Sequence, residues 1–181
     1  VQTCALPIFT GNIVISLLAA WVFGVLFLYV RAIYVPQITN ETMRDNFSNY
    51  LFKATVFYAG FAFVTTLIRE VVKDLEDMTG DAAMKCRTMP VAWGVPVAKV
   101  FAGVWLSVVI IVLLVIGAYA WMMNWILVTA YILVALVFPF FATLRQLRKA
   151  ETQSDYHAIS KGIRFIMLAG ISTMLFFLFI N

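Results

Sequence analysis

Charged residues are rare in this sequence. They make up 12% of its 181 residues, against about a quarter in a soluble domain, and 64% of the residues are hydrophobic. Four runs carry no charge at all: 13–30, 54–68, 100–144 and 165–181. Runs of this length exclude an ordinary soluble domain and indicate a polytopic membrane protein. Apolar and polar residues do not alternate as in a barrel, so the spans are predicted to be α-helical.

Histidine and cysteine are scarce too. The chain has one histidine, His157, and two cysteines, Cys4 and Cys86, which lie far apart in the sequence. These numbers exclude a zinc site of the His–Cys type and indicate no disulfide framework. The net charge of +4 comes without an array of basic and aromatic residues, so no nucleic-acid partner is expected. His157 is interpreted as a surface group, with a substrate role as the alternative.

The apolar runs predict an all-α membrane bundle. Its five transmembrane helices lie at roughly 12–33, 49–72, 97–119, 123–144 and 161–180. Ten of the thirteen lysines and arginines flank the loops after the second and the fourth helix. Because cytoplasmic loops are enriched in these residues, both loops are predicted to face the cytoplasm, in an integral protein of the cytoplasmic (inner) membrane. Four glycines are predicted to mark close helix contacts: Gly60, Gly103, Gly117 and Gly170.

The acidic residues cluster directly after the second predicted helix. Five of the nine lie between positions 70 and 81. At about 100° per residue, four of them share one narrow stripe of a helix, namely Glu70, Asp74, Asp77 and Asp81, whereas Glu76 points elsewhere. Carboxylates at a membrane surface are costly unless they bind a cation or a partner. Oxygen ligands suit a hard divalent cation, so this acidic loop is predicted to bind one.

Such a site suits the chemistry of diphosphate esters. Mg²⁺ neutralises a diphosphate and stabilises it as a leaving group, while lysine and arginine bind its oxygens. An apolar helix bundle keeps water from a carbocation and takes up an isoprenoid tail. Three alternatives stay open at this point: a solvated loop with weak ion pairs, a scaffold protein, and a small cation transporter or channel with an acidic vestibule. The mid-membrane ionisable residue that a transporter needs is absent from the predicted spans.

The acidic segment resembles a known family, the UbiA-type intramembrane prenyltransferases. These proteins have nine helices and two aspartate-rich motifs on cytoplasmic loops, and the run 77–81, Asp-Met-Thr-Gly-Asp, matches the second motif, Asp-x-x-x-Asp. The longer run 69–81, with Arg-Thr-Met-Pro at 87–90, is most similar to the geranylgeranylglycerol-phosphate geranylgeranyltransferase branch. Gly-Asn at 11–12 and Asp-Tyr-His at 155–157 are weaker matches.

The resemblance implies an enzyme of membrane lipid biosynthesis. It would transfer a polyprenyl group from its diphosphate to the hydroxyl of geranylgeranylglyceryl phosphate, with Mg²⁺ as cofactor. The resemblance to this branch implies that the polyprenyl group is geranylgeranyl. Related branches act on quinone precursors or haem, so the acceptor, the chain length and the oligomeric state stay open. The implied roles are Mg²⁺ binding and catalysis for Asp74, Asp77 and Asp81, diphosphate binding for Arg69, Lys73 and Arg87, and support of Arg69 or Lys73 for Glu70.

The resemblance covers residues 9–181, which correspond to family helices five to nine. Helices one to four and the first aspartate motif have no counterpart here, so this part alone is expected to be inactive. Residues 1–8, Val-Gln-Thr-Cys-Ala-Leu-Pro-Ile, resemble a translated sequencing adapter, and the chain has no initiator methionine. We therefore expect residues 1–8 to be non-native and residues 9–181 to form an N-terminally truncated prenyltransferase domain.

Overall fold

The computed structural model describes residues 9–174, and all regular structure in this range is helical. Seven α-helices follow one another along the chain: α1 (Thr10–Ile33), α2 (Glu41–Ala83), α3 (Met89–Trp93), α4 (Val95–Met122), α5 (Ile126–Tyr131), α6 (Phe138–Lys149) and α7 (Gln153–Ser172). A 3₁₀ turn at Val35–Gln37 follows α1, and a π-helical segment at Ile132–Val137 joins α5 to α6. The prediction of an all-α membrane bundle is therefore confirmed.

Four of the described helices are long and apolar enough to cross a membrane. They are Thr10–Gln37, Glu41–Ala83, Val95–Met122 and Ile126–Lys149, and they correspond to the first four predicted spans. The fifth predicted span, 161–180, begins within α7, which starts earlier, at Gln153, and positions 175–180 lie outside the described residues. The chain is an integral membrane protein.

Helix α2 is much longer than predicted. Its 43 residues correspond to about 65 Å, whereas the hydrocarbon core of a bilayer is about 30 Å thick. The expectation of a helix at 49–72 followed by an acidic loop is wrong, because the helix continues to Ala83. Leu75, past the predicted end, is buried together with Val71 and Val72, so packing holds this part helical.

The C-terminal end of α2 has a well-defined cap. The backbone N–H of Cys86 donates to the carbonyl of Asp81 at 2.8 Å, and that of Lys85 donates to Ala82 at 3.1 Å. Lys85 adopts a left-handed conformation with φ 58°, which completes a Schellman motif. Cys86, the residue that closes this motif, is buried.

The core lies between α2, α4, α6 and α7. Val72 of α2 and Ala98 and Ala102 of α4 are fully buried, as are Phe140 of α6 and Ile163 of α7. Small alanines on α4 allow close approach of the neighbouring helices. Helix α1 lies against α2, mainly through apolar and aromatic contacts. The bundle thus leaves the acidic end of α2, residues 70–81, next to the beginnings of α1 and α7.

Candidate functional site

The acidic end of α2 presents four carboxylates on one face of the helix. Asp74 is half-buried and interacts electrostatically with Asp81, Glu70 and Asp77. Because the helix is unbroken to Ala83, the positions of these residues follow the spacing predicted from the sequence. Four negative charges at this spacing repel one another unless cations or hydrogen-bond donors compensate them.

The two glutamates of the acidic end are already engaged in ion pairs. Arg69 binds Glu70 through its Nη1 atom, and Nδ1 of His157 lies 2.7 Å from Oε1 of Glu76. Within residues 9–174, in contrast, no basic side chain forms an ion pair with Asp74, Asp77 or Asp81. The structure thus separates two glutamates, which pair with Arg69 and His157, from three aspartates that have no basic partner among the described residues.

Asp74 has one side-chain partner in the described part of the chain, the amide of Asn12. Nδ2 of Asn12, in the first turn of α1, donates to Oδ2 of Asp74 at 2.7 Å. From the sequence, Asn12 is only a polar residue near a helix end and a weak family match. Neither pattern predicts a contact between residues 62 positions apart. Asn12 is therefore a site residue that sequence reasoning missed.

Asp77 and Asp81 border a shallow cavity of about 300 Å³ between the end of α2 and the start of α7. Its lining consists of Asp77, Thr79, Gly80, Asp81, Met84 and Gln153. Gln153, the first residue of α7, brings an amide to the two carboxylates, and no sequence motif pointed to it. The cavity is therefore open to a ligand that has both a cation and hydrogen-bond acceptors or donors.

The start of α7 is held by hydrogen bonds within residues 150–156 and by one contact with α2. Thr152 and Asp155 form a capping box, in which Oδ2 of Asp155 accepts from the backbone N–H of Thr152 at 2.9 Å and of Glu151 at 3.1 Å. These hydrogen bonds lower the pKa of Asp155. The hydroxyl of Tyr156 donates to the carbonyl of Ala150 at 3.2 Å, and His157 pairs with Glu76. The segment 155–157 thus has a structural role.

The three basic residues with implied diphosphate contacts lie at different places. Arg69 pairs with Glu70, and its Nε atom is buried without a hydrogen-bond partner among the described residues. Lys73 is exposed on α2, one turn before Asp77, and Arg87 is exposed between α2 and α3. The structure therefore leaves the side chains of Lys73 and Arg87 exposed to solvent near the acidic end, whereas Arg69 is held by its neighbour.

The donor set fits a cation that is shared with a phosphate ligand. In the part of the chain that the structure describes, no group of three or more histidine, cysteine or acidic side chains is close enough to hold a metal ion. Carboxylates three or four positions apart on one helix have Cβ atoms about 5–6 Å apart, so they face the same space without forming a closed cage. Mg²⁺ usually takes one or two carboxylates and completes its coordination shell with water and phosphate, which suits such a row.

Four curated proteins are similar to this chain, and each is named digeranylgeranylglyceryl phosphate synthase. The protein of Methanopyrus kandleri is 51% identical over 45 residues, 23% of this chain and 17% of the relative. That of Methanothermobacter thermautotrophicus is 38% identical over 50 residues, 28% of this chain and 18% of the relative. That of Methanosphaera stadtmanae is 30% identical over 108 residues, 60% of this chain and 39% of the relative.

These similarities confirm the resemblance to prenyltransferases of this type that the motif indicated. The chain matches less than half the length of each of these relatives. No protein-family model matches the chain, and no solved structure matches it.

Proposed function

We propose that this chain forms part of an intramembrane prenyltransferase of membrane lipid biosynthesis. The enzyme transfers a geranylgeranyl group from its diphosphate to the hydroxyl of geranylgeranylglyceryl phosphate. The observation that carries the proposal is the set of aspartates without a basic partner among the described residues, Asp74, Asp77 and Asp81, at one end of a membrane-spanning helix. The common name of the four similar proteins supports the lipid acceptor over a quinone precursor or haem.

In the proposed reaction the row of Asp74, Asp77 and Asp81 would supply one or two carboxylates to Mg²⁺, and the diphosphate and water would complete its coordination shell. The ion, when bound, neutralises the charge of the diphosphate and makes it a better leaving group. Lys73 and Arg87 are exposed and would bind phosphate oxygens, Arg87 in a bidentate manner. The bond between C1 of the prenyl group and the diphosphate oxygen breaks, the oxygen of the acceptor hydroxyl bonds to C1, and the hydroxyl proton passes to the released diphosphate.

The lipid bilayer and the apolar helices provide the second requirement of this chemistry. An isoprenoid tail gains about 0.8 kcal/mol for each methylene that it buries. Helix α1, next to the acidic end, exposes a broad apolar surface that includes Trp21 and Val22, both more than 60% exposed. The proposed arrangement therefore holds the charged head of the substrate at the acidic end of α2 and its tail among apolar helices, away from water.

The test is transfer from labelled geranylgeranyl diphosphate by the full-length gene product in membranes. Asp77→Asn and Asp81→Asn are expected to lower the rate at least a hundredfold, because the amide keeps the shape and removes the charge. Asp45→Asn is the matched control, since Asp45 lies on the same helix, is 75% exposed in its side chain and is remote from the acidic end. Undiminished transfer in Asp77→Asn and Asp81→Asn would overturn the proposal.

The acceptor is tested separately in the same membranes. Geranylgeranylglyceryl phosphate is expected to be prenylated, whereas hydroxybenzoate, dihydroxynaphthoate and haem are not. Prenylation of one of the aromatic acceptors, or of haem, with the same dependence on Asp77 and Asp81 would support the proposed metal site and overturn the proposed acceptor.

A further inference from the structure

We infer that Asn12 is a positioning residue for Asp74, holding this carboxylate in the orientation in which it binds the cation. The inference rests on the proposed function and adds a residue of another helix to its machinery. Within the described range, Asn12 is the one residue whose side chain donates a hydrogen bond to an aspartate of the acidic end. The donor and the acceptor are 2.7 Å apart, the distance of a strong charge-assisted hydrogen bond.

The contact lies at one end of the interface between α1 and α2. Further along the pair, α1 and α2 meet through aromatic side chains: Phe23 stacks on Tyr58 with ring centroids 5.9 Å apart, and Phe27 lies against Phe52 at 6.0 Å. Such contacts suffice to hold two apolar helices together. The hydrogen bond between Asn12 and Asp74 is thus a polar contact in the first turn of α1, where this helix reaches the four carboxylates of α2.

The chemistry of the donor suits a metal ligand. A lysine or arginine at this position would neutralise Asp74 and compete with the cation for it. An amide is neutral, so it does not cancel the charge of the ionised Asp74 carboxylate. The Asn12 amide binds Oδ2 of Asp74, and Oδ1 accepts no hydrogen bond from any described residue. Hydrogen bonds from neutral groups to a ligating carboxylate fix its orientation in this way in many metal sites.

Asn12 is itself held in place by its own helix. The hydroxyl of Ser16, which is fully buried, donates to the backbone carbonyl of Asn12 at 2.6 Å. This hydrogen bond ties Ser16 to the backbone of the first turn of α1, from which the Asn12 amide reaches Asp74. Loss of the amide is expected to let Asp74 turn away from Asp77 and Asp81, toward solvent.

The experiment measures binding of Mn²⁺, a spectroscopic substitute for Mg²⁺, to the full-length protein in lipid nanodiscs with an unreactive diphosphate. Free Mn²⁺ is followed by electron paramagnetic resonance. Asn12→Ala and Asn12→Leu, the second of which keeps the volume, are expected to weaken Mn²⁺ binding about tenfold. Asn12→Gln retains a donor and is expected to bind Mn²⁺ more tightly than Asn12→Ala. Asn49→Ala, at an exposed asparagine of α2, is the control and is expected to leave binding unchanged.

A rescue measurement separates positioning from a merely structural role. In the transfer assay, Asn12→Ala is expected to regain activity when Mg²⁺ is raised about tenfold, at an unchanged melting temperature. Wild-type binding in Asn12→Ala and Asn12→Leu, or loss of activity that Mg²⁺ does not restore, would overturn the role of Asn12 and leave the proposed function standing. Wild-type protein that binds no Mn²⁺, or binds it equally after Asp77→Asn and Asp81→Asn, would overturn both.

Discussion

Glu76 Oε1 lies 2.7 Å from Nδ1 of His157, across 81 positions of sequence, so the acidic end of α2 is joined to α7. On the other side of the same helix, Asp74 accepts a hydrogen bond from Asn12 of α1. The acidic end is therefore held between two helices that are distant in the sequence. The remaining aspartates, Asp77 and Asp81, border the cavity next to Gln153.

The pair of Glu76 and His157 is expected to contribute little to stability. The side chain of His157 is 62% exposed, and exposed ion pairs contribute about 0–1 kcal/mol. In a double-mutant cycle with Glu76→Gln and His157→Ala, thermal unfolding in detergent is expected to give a coupling free energy below about 1 kcal/mol. A coupling of several kcal/mol would mean that the pair is shielded from water in the assembled protein.

The N-terminal cap of α7 is expected to contribute more to stability than the pair of Glu76 and His157. Thr152→Ala removes the hydroxyl that accepts from the N–H of Asp155, and loss of such a cap costs about 1 kcal/mol. The melting temperature in detergent measures this. Ser154→Ala is the control, because Ser154 is exposed and makes no described hydrogen bond. Equal melting temperatures for Thr152→Ala and wild type would contradict the role of the cap.

The same cap predicts a dependence on pH. The pKa of Asp155 is lower in the folded protein than in the unfolded chain, because backbone N–H groups of Thr152 and Glu151 donate to its ionised form. Its contribution to stability is therefore present above the unfolded pKa of about 3.9 and is lost as the pH falls toward the folded value. The difference in melting temperature between wild type and Asp155→Asn is expected to be constant at neutral pH and to shrink below about pH 4. A difference that grows on acidification would contradict the sign of the shift.

Gly170 is expected to be intolerant of any larger side chain. A Cβ atom at this position of α7 would overlap the ring of Phe61 of α2, which in turn packs edge-on against Phe140 at a centroid distance of 6.2 Å. Gly170→Ala is therefore expected to destabilise the protein by about 1–3 kcal/mol, seen as a lower melting temperature. Gly162→Ala, on the same helix, is the control. Since nothing lies within 4 Å of its added Cβ, it is expected to be neutral or stabilising by up to about 1 kcal/mol.

The orientation of α2 is testable by labelling. Thr79 and Asn46 are exposed and lie about 50 Å apart along the helix, which exceeds the thickness of the hydrocarbon core. In protein without its native cysteines, we expect Thr79→Cys to react with an impermeant maleimide from the cytoplasmic side and Asn46→Cys from the opposite side. The reverse pattern would overturn the proposed cytoplasmic position of the acidic end.

Glycines show how far local patterns predict contacts. From their positions in apolar helices, a close helix contact was predicted for each of Gly60, Gly103, Gly117 and Gly170. The structure confirms this at Gly170, gives ordinary contacts at Gly103 and Gly117, and leaves the space beside Gly60 open. A glycine permits close approach of another helix, but only the packing of α2 against α7 decides which glycine is used.

Composition and periodicity determined the all-α membrane fold, the first four membrane spans and the common face of the four carboxylates, because these depend on hydrophobicity and on the 3.6-residue repeat alone. Only the tertiary structure decided that α2 continues to Ala83, since Leu75 is buried there by helices far along the chain. It also decided which acidic residue pairs with which partner. Contacts such as Asn12 with Asp74 and Glu76 with His157 depend on how helices distant in sequence pack, and no local pattern encodes them.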